Sequence, residues 1–433
     1  MTPQTPGATP SRARFVILGL LLVGTMINYL DRTVMSIAMP TIRKDLGLSA
    51  TQVGTILSAF AWTYAAAQLP GGWVLDRIGV KLTYYLSVTC WSIFTMLQGA
   101  ASGFASLLGF RFGLGASEAP CFPANSRVLS AWFPQQERAR ATSIFSVGMY
   151  AGIGFLNFPL TWIANTWGWK SLFLLVGAIG VLFGFLWLKL YREPQESPSV
   201  NQAELDHIKA GGGLGHPAKP IPFSWDNFVF LLKQRQIVGA AFAQFAGNCT
   251  LVFFLTWFIP YLADPNGRNM GWIRVGIYAS LPFIAAAVGC LSGGWLSDQI
   301  LRRTGSATFA RKLPIVCGFA LATLILAANY VQSAPLMIAV MCVAFFGQGW
   351  INLGWAVITD VAPKQLFGLT TGFFNFVTNL AGIVTPLIIG YVRDRTGSYY
   401  WGLAFIAAMA VAGALSYLFV VGEVKRVEFE VKP

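Results

Sequence analysis

The feature that most constrains this chain is a series of long apolar runs separated by short polar connections. The hydrocarbon core of a bilayer is about 30 Å thick, and an α-helix needs about 20 apolar residues to cross it. Because backbone polar groups in lipid must be satisfied within the chain, such runs are expected to be helical. The sequence therefore predicts an all-α polytopic membrane protein with twelve transmembrane helices. We place the spans at residues 15–38, 51–73, 80–101, 104–127, 138–162, 169–190, 236–262, 271–299, 312–331, 335–359, 366–392 and 400–421.

Composition and charge exclude a soluble protein and a nucleic-acid binder. Of the 433 residues, 55% are hydrophobic and only 11% are charged, whereas soluble domains carry about 25% charged residues. The net charge is +13, but the basic residues are scattered over short connections, whereas nucleic-acid binding needs them on one polar face. Most of the 30 Lys and Arg residues fall in connections on the side of the termini. Since such loops stay in the cytoplasm, we expect both termini to be cytoplasmic.

The chain repeats itself in two halves. The run G-G-W-V-L-D at residues 71–76 recurs as G-G-W-L-S-D at residues 293–298, and A-G-I at residues 151–153 recurs at 381–383. Two internal repeats that occur in the same order in both halves predict two pseudo-symmetric six-helix bundles. The one long polar connection lies between the halves and contains a possible short helix over residues 202–210. The predicted divisions are an N-terminal tail (1–14), a first bundle (15–190), a cytoplasmic central loop (191–235), a second bundle (236–421) and a cytoplasmic tail (422–433).

Four ionisable residues lie within predicted spans. They are Asp31 and Arg32 in the first span, and Arg111 and Glu118 in the fourth. A charge in the bilayer centre costs a few kcal/mol or more, so such residues normally face a bundle interior or a wet cavity. Arg111 and Glu118 are two helical turns apart and share one side of their helix, whereas the adjacent Asp31 and Arg32 cannot point the same way. These four charges predict the working site; the alternative is a buried ion-pair cluster that only locks helices together.

The chemistry of these residues favours transport of an organic anion. Guanidinium groups are the preferred partners of carboxylates, so Arg32 or Arg111 suits an anionic substrate. A carboxyl group in a low-dielectric cavity can bind and release protons near neutral pH, which makes Asp31 and Glu118 candidates for proton coupling. Polar and aromatic residues at inner positions of both halves predict a polar lining, although any one of them could instead be an ordinary contact between helices. The lining set is Asn28, Tyr29, Tyr64, Gln68, Gln244, Asn248, Trp257, Gln348, Asn352, Trp355, Asn375 and Asn379.

Enzyme and metal chemistry are disfavoured. The six cysteines all lie in apolar segments without C-x-x-C spacing, and both histidines, His207 and His216, lie in the central loop. We therefore expect no metal, no cofactor, no disulfide framework and no catalytic triad. Asp76, Arg77 and Asp298 lie at helix ends on the side of the termini, where a carboxylate can pair with an adjoining segment. We expect these three residues to hold that side shut, the alternative being a solvated turn.

At residues 72–81 the sequence G-W-V-L-D-R-I-G-V-K resembles the G-x-x-x-D-R-x-G-x-K motif of the major facilitator superfamily. Residues 28–32 (N-Y-L-D-R), 117–120 (S-E-A-P) and 132–134 (W-F-P) resemble its anion:cation symporter branch, especially bacterial transporters of glucarate, galactarate and galactonate. The resemblance implies proton-coupled uptake of a sugar acid across a bacterial inner membrane. It implies that Arg32 and Arg111 are substrate-side cations, that Asp31 and Glu118 carry protons, and that Tyr64, Trp355 and Asn375 contact the sugar.

One position departs from the family pattern. A Gln is common in the fifth span where this chain has Met149, and a thioether cannot replace the donors of an amide. Either the ligand differs at one hydroxyl, or a neighbour such as Tyr150 or Asn157 compensates. We also count Gln244 and Asn352 among the candidate substrate contacts.

Two other functions remain open at this point. Aromatic acids are the second substrate class, since the predicted lining contains Trp and Tyr. A proton-independent facilitator or exporter of organic anions would keep the same scaffold, and only Asp31 and Glu118 argue against it. The expected partners are a small organic anion, protons and the lipid bilayer, with no nucleic acid, and we expect a monomer.

Overall fold

The structure, a computed structural model, describes residues 9–211, 224–265, 267–363 and 365–429, and every regular element in these ranges is a helix. The predicted central-loop helix is present as α6, whereas the glycine run after Gly211, His216 and the ends of both tails lie outside the described residues. In chain order the helices are α1 (Ala13–Asp45), α2 (Ala50–Gln98), α3 (Phe104–Glu118), α4 (Cys121–Trp132), α5 (Gln135–Leu190), α6 (Gln202–Ala210), α7 (Trp225–Leu232), α8 (Arg235–Thr256), α9 (Phe258–Ala263), α10 (Trp272–Thr304), α11 (Ala307–Thr323), α12 (Ala334–Ile351), α13 (Gly354–Val361), α14 (Phe367–Asn379), α15 (Ala381–Thr396) and α16 (Tyr400–Leu415).

All twelve predicted spans coincide with helix, although the helices do not divide as the apolar runs do. The two longest, α2 and α5, each cover two predicted spans, because the backbone leaves the helical region at Gly79 (φ 79°) and Gly168 (φ 80°). Only glycine adopts that conformation at little cost. The fourth, seventh, tenth and eleventh spans are each broken into two helices. By length and composition alone, eight described segments are long and apolar enough to cross a membrane.

Packing within and between the halves defines where a site can lie. In the first half α1 packs on α5 and α2 on α3, and in the second half α10 and α11 pack on α12 while α8 packs on α14 and α16. The halves meet along α2 and α15, along α5 and α10, and where α1 reaches α9. One buried apolar cluster includes residues of both halves, such as Leu30, Ile153, Phe254 and Phe345. The halves are therefore in direct contact along these seams.

Glycines permit the closest seam between the halves. A Cβ atom added to Gly54 in α2 would lie 2.4 Å from the Pro386 carbonyl oxygen and 3.3 Å from Cα of Gly390 in α15. A Cβ atom added to Gly390 would lie 2.6 Å from the carbonyl oxygen of Ala50. Small residues let helix backbones approach to this distance. The α2–α15 seam therefore depends on glycine at both positions.

The central-loop helix docks on the start of α1. Glu204 in α6 is fully buried and accepts hydrogen bonds from the backbone N–H groups of Ala13 and Arg14. It also pairs with the Arg14 guanidinium, whose second partner is Glu137 at the start of α5. A carboxylate stabilises a helix N-terminus because the unpaired N–H groups there carry partial positive charge. The loop thus ties α6 to the first and fifth spans.

Candidate functional site

The four intramembrane charges come together on two helices of the first half. Arg32 of α1 donates from Nε to Oε1 of Glu118 at 2.8 Å, and its Nη2 donates to the same oxygen. The Glu118 side chain is fully buried, and 15% of the Arg32 side chain is exposed. Burying such a pair costs desolvation energy that only close geometry repays. Glu118 is therefore committed to Arg32 in this state.

Aromatic rings enclose the Arg32 guanidinium. Its Cζ atom lies 4.5 Å from the ring centroid of Phe60, 4.8 Å from that of Tyr29 and 5.0 Å from that of Tyr64. A guanidinium over an aromatic face is attracted by the electron density of the ring. These three rings therefore position the Arg32 guanidinium independently of Glu118.

Asp31 faces a different neighbour. Its Oδ2 accepts a hydrogen bond from the Trp91 Nε1–H at 2.7 Å, and both side chains are fully buried. Thr95, one turn beyond Trp91, lies beside the same carboxyl group. The adjacent residues Asp31 and Arg32 thus point to different helices, as their spacing requires. Sequence reasoning missed Trp91, although an indole N–H inside an apolar span signals a need for an acceptor.

Arg111 lies near this pair and forms no ion pair with any described residue. It is 2% exposed, and its Nε and Nη1 atoms are buried without a hydrogen-bond partner among the described residues. Its Cζ atom lies 5.4 Å from the centroid of the same Phe60 ring that Arg32 covers. A buried guanidinium with unpaired N–H groups is costly. A role of Arg111 in binding a substrate anion stays a prediction.

The candidate residues of the second half lie on α8 and around the breaks of the tenth and eleventh spans. Asn352, between α12 and α13, donates to the Tyr150 hydroxyl of the first half at 2.7 Å. Trp355 is 41% exposed and packs its ring edge-on against Phe374. Asn375 accepts a hydrogen bond from Asn379 on the same helix.

Three other lining residues are deeply buried within the second half. Gln244 is 1% exposed and packs against the backbone at Gly354. Trp257 is likewise buried and donates to the Pro386 carbonyl oxygen, and Gln348 is fully buried. These three side chains are placed for packing in this state, so a role of Gln244 in binding stays a prediction.

The two neighbours considered as substitutes at Met149 already have partners. Tyr150 is 3% exposed and accepts from Asn352, and the Asn157 amide donates to the Ala279 carbonyl oxygen at 3.2 Å. Both contacts join the two halves. The Tyr150 hydroxyl keeps its own proton as a donor, and Oδ1 of Asn157 is buried without a partner among the described residues, so compensation by either residue stays a prediction.

A charged cluster that sequence reasoning missed joins the halves at the end away from the termini. Asp264, after α9, accepts from Arg43 of α1 at 2.8 Å and from Arg393 of α15 at 2.5 Å, and the Tyr399 hydroxyl lies 3.4 Å away. We call these four residues the Asp264 cluster. Among the described residues, Arg43–Asp264 is the one ion pair that joins the two halves. In the sequence, the only indication of this cluster is that Arg43, Asp264 and Arg393 follow the ends of predicted spans on the side that carries few charges.

Comparisons with known proteins are consistent with this architecture. Residues 21–384 match the family model described as Major Facilitator Superfamily. The chain belongs to the major facilitator superfamily. It is 39% identical to the D-galactonate transporter of Escherichia coli O6:H1 over 97% of this chain and 98% of that protein. It is 41% identical to the probable galactarate/D-glucarate transporter GudP of Escherichia coli K12, over 97% of this chain and 96% of that protein.

More distant relatives agree on the class of protein. The chain is 36% identical to the hexuronate transporter of Bacillus subtilis over 93% of both sequences. A crystal structure of a bacterial homolog of the human lysosomal transporter Spinster, inward-facing and occupied, superposes with a TM-score of 0.71 over 96% of this chain and 97% of that chain at 20% identity. The superfamily assignment and the all-α membrane fold predicted from the sequence are confirmed. The chain is a transporter and not an enzyme.

The superfamily loop motif makes a contact within the first half only. Asp76 is paired with Arg127 of α4 at 2.9 Å, and 77% of its side chain is exposed. Arg77 lies over the Trp73 ring at 5.2 Å from the centroid, and Asp298 makes no ion pair with any described residue. The gating role of Asp76, Arg77 and Asp298 therefore remains a prediction for a state in which the terminal end closes.

Proposed function

We propose that this protein imports a sugar-acid anion such as glucarate, galactarate or galactonate together with protons. The observation that carries the proposal is the arrangement of Arg32, Arg111 and Glu118, in which one arginine holds a buried carboxylate and the other holds none. Two guanidinium groups against one ring suit the carboxylates of an organic acid. Relatives that are 39% and 41% identical over nearly the whole chain are named as transporters of D-galactonate and of galactarate or D-glucarate, which supports the substrate class.

Coupling follows from competition for Arg32. While Glu118 is ionised it occupies the Arg32 guanidinium. A proton on Glu118 removes that charge, so Arg32 becomes available to the substrate carboxylate. Asp31, which points to a different helix and is held by Trp91, is the second proposed proton carrier. Substrate and proton therefore bind together and leave together.

Alternating access follows from where the halves touch. Among the described contacts that join them, the Ser36 hydroxyl donates to the Thr256 carbonyl oxygen at 2.9 Å, and Asp394 accepts from the backbone N–H groups of Ala50 and Thr51 at 2.8 and 2.6 Å. With the Asp264 cluster, these contacts seal the end away from the termini. Because the basic connections favour cytoplasmic termini, we assign this state as inward-facing.

The remaining assignments complete the proposal. Residues 15–190 and 236–421 are the two moving bundles, linked by the central loop 191–235. Tyr64, Gln244, Asn352, Trp355 and Asn375 are the substrate contacts between them. The protein resides in a bacterial inner membrane as a monomer with both termini in the cytoplasm.

Uptake into proteoliposomes tests the coupling. With an imposed pH gradient that is alkaline inside, we expect radiolabelled galactarate or galactonate to accumulate about tenfold per coupled proton for each pH unit, because one unit is worth about 1.4 kcal/mol per proton. An ionophore that collapses the gradient should return the internal concentration to the external one. Uptake that reaches the same level with and without the gradient would identify a facilitator instead.

An aromatic carboxylate is the second candidate substrate, because Tyr29, Phe60 and Tyr64 surround Arg32 and could stack on an aromatic ring. A thermal-shift screen of the purified protein against aldarates, aldonates, hexuronates and aromatic acids at two pH values separates the classes. Bound ligand raises stability by mass action. We expect stabilisation by sugar acids, and stabilisation by phthalate alone would favour the second candidate.

Substitution of Gly54 by Val tests whether the α2–α15 seam stabilises the inward-facing state. Its Cβ would lie 2.4 Å from the Pro386 carbonyl oxygen, and such overpacking costs about 1–3 kcal/mol. The inward-facing population should fall about ten- to hundredfold, with a similar loss in the initial rate of uptake. Gly19→Val is the matched control, since a Cβ at Gly19 of α1 meets nothing within 4 Å. Equal uptake by the two variants would contradict the role of the seam.

A further inference from the structure

We infer that Asn379 is a positioning residue, which orients the Asn375 amide so that it offers N–H donors to the hydroxyl groups of a ligand. This inference rests on the proposed function, because it takes Asn375 as a substrate contact. It adds a residue that does not itself touch the substrate, and it gives the C-terminal half a chemical preference. That preference is for a hydroxylated chain over an unsubstituted acid of the same length.

The hydrogen bonds of Asn379 determine which atom each amide presents. Its Nδ2 donates to the backbone carbonyl oxygen of Asn375 at 2.8 Å and to Oδ1 of Asn375 at 2.9 Å. Asn side-chain O and N atoms are assigned from such networks. A backbone carbonyl can only accept, so the Asn379 atom that contacts it must be the nitrogen. The same nitrogen then faces Oδ1 of Asn375 as a donor, which fixes the second amide as well.

The Asn375 amide therefore has its oxygen already engaged in a hydrogen bond. The Oδ1 of Asn375 is occupied by Asn379, and its Nδ2 carries the two hydrogens that remain for other partners. Asn375 is half-buried on α14, next to Phe374, against which the exposed Trp355 ring packs. Asn379 is the last residue of α14, before the break that leads into α15. Its amide is thus held by a contact one turn back on its own helix.

An amide that presents two N–H donors prefers ligands whose oxygen atoms accept hydrogen bonds. Hydroxyl oxygens of an aldarate or aldonate accept from N–H groups. Methylene groups cannot accept, so they do not replace the hydrogen bonds to water that the amide loses when the ligand binds. A site built around a ligand hydroxyl strongly rejects the analogue without it, because the buried polar group is left unpaired. If Asn375 were flipped, its Oδ1 would face the ligand, and the two N–H donors that hydroxyl oxygens accept from would be lost.

The test compares two six-carbon diacids that differ in hydroxylation. Galactarate carries four hydroxyls and adipate carries none. The dissociation constants of both are measured by titration calorimetry for the wild-type protein, Asn375→Leu, Asn379→Leu and the double variant. We expect Asn379→Leu to weaken galactarate binding at least tenfold and to leave adipate binding within twofold. In the double variant the loss should not exceed that of Asn375→Leu, because both substitutions remove the same interaction.

A matched control and a second variant at Asn379 separate the positioning role from a general effect on stability. Asn329→Leu removes another amide that donates to a backbone carbonyl, that of Tyr400, and it should not change the preference for galactarate. Asn379→Asp cannot donate to Asn375 and should reverse the orientation of the Asn375 amide, whose Oδ1 can accept from a ligand hydroxyl but cannot donate to one, so this variant should also lower the preference for galactarate. Equal weakening of both diacids, or an unchanged preference in both Asn379 variants, would overturn the positioning role. If the wild-type protein binds none of galactarate, glucarate and galactonate, the proposed function fails; if Asn375→Leu alone changes the preference, only this inference fails.

Discussion

Glu118→Gln should abolish the accumulation of substrate driven by a proton gradient, while exchange of labelled for unlabelled substrate continues. The amide keeps an oxygen that can accept from Nε of Arg32, which the carboxylate now binds at 2.8 Å, but it can neither carry the negative charge nor exchange a proton at neutral pH. Arg32 is then permanently available to the ligand. A gradient of one pH unit, which supports about tenfold accumulation per proton in the wild type, should support none through this site.

Counterflow and gradient-driven uptake in the same proteoliposomes measure the two activities. Glu137→Gln is the matched control, because Glu137 pairs with Arg14 and His207 outside the predicted site. That variant should accumulate substrate as the wild type does. Accumulation by Glu118→Gln at the control level would remove Glu118 from the coupling mechanism, and loss of counterflow as well would assign it to binding.

Asp264→Ala should shift the protein strongly away from the inward-facing state. The substitution removes the ion pair to Arg43, which joins the halves, and a hydrogen bond to a charged group contributes about 1.5–3 kcal/mol. The pair with Arg393 lies within the second half, so its loss destabilises both states alike. Since 1.4 kcal/mol is a factor of ten, the closed population at that end should fall about tenfold or more.

Thiol labelling measures this shift. In a background without native cysteines, a cysteine placed at Ser36, which is fully buried and hydrogen-bonded across the halves, reports opening at the end away from the termini. Its rate of reaction with an impermeant maleimide should rise in the Asp264→Ala background. Asp206→Ala, which removes an exposed carboxylate of α6, should leave the rate unchanged. An unchanged rate in Asp264→Ala would show that the cluster does not seal that end.

The sequence determined the class of fold because the lipid environment allows few solutions. A run of about 20 apolar residues must become a helix in a bilayer, and the spans so predicted coincide with helices throughout the described residues. The same constraint singled out Asp31, Arg32, Arg111 and Glu118, since charges are rare where hydration is lost. The possible short helix predicted at residues 202–210 is also present, as α6.

The tertiary structure alone decided which of these charges pair and which groups seal the halves. Nothing in the spacing of Arg32 and Arg111 says which of them takes Glu118, because a partner 86 positions away along the chain is selected by packing. The Asp264 cluster brings together three chain segments more than 100 residues apart. Helix formation depends on the local composition of each run, whereas pairing depends on the side chains that neighbouring helices bring into the same low-dielectric space. For that reason, composition and period predict the scaffold, and only the packed helices define the site.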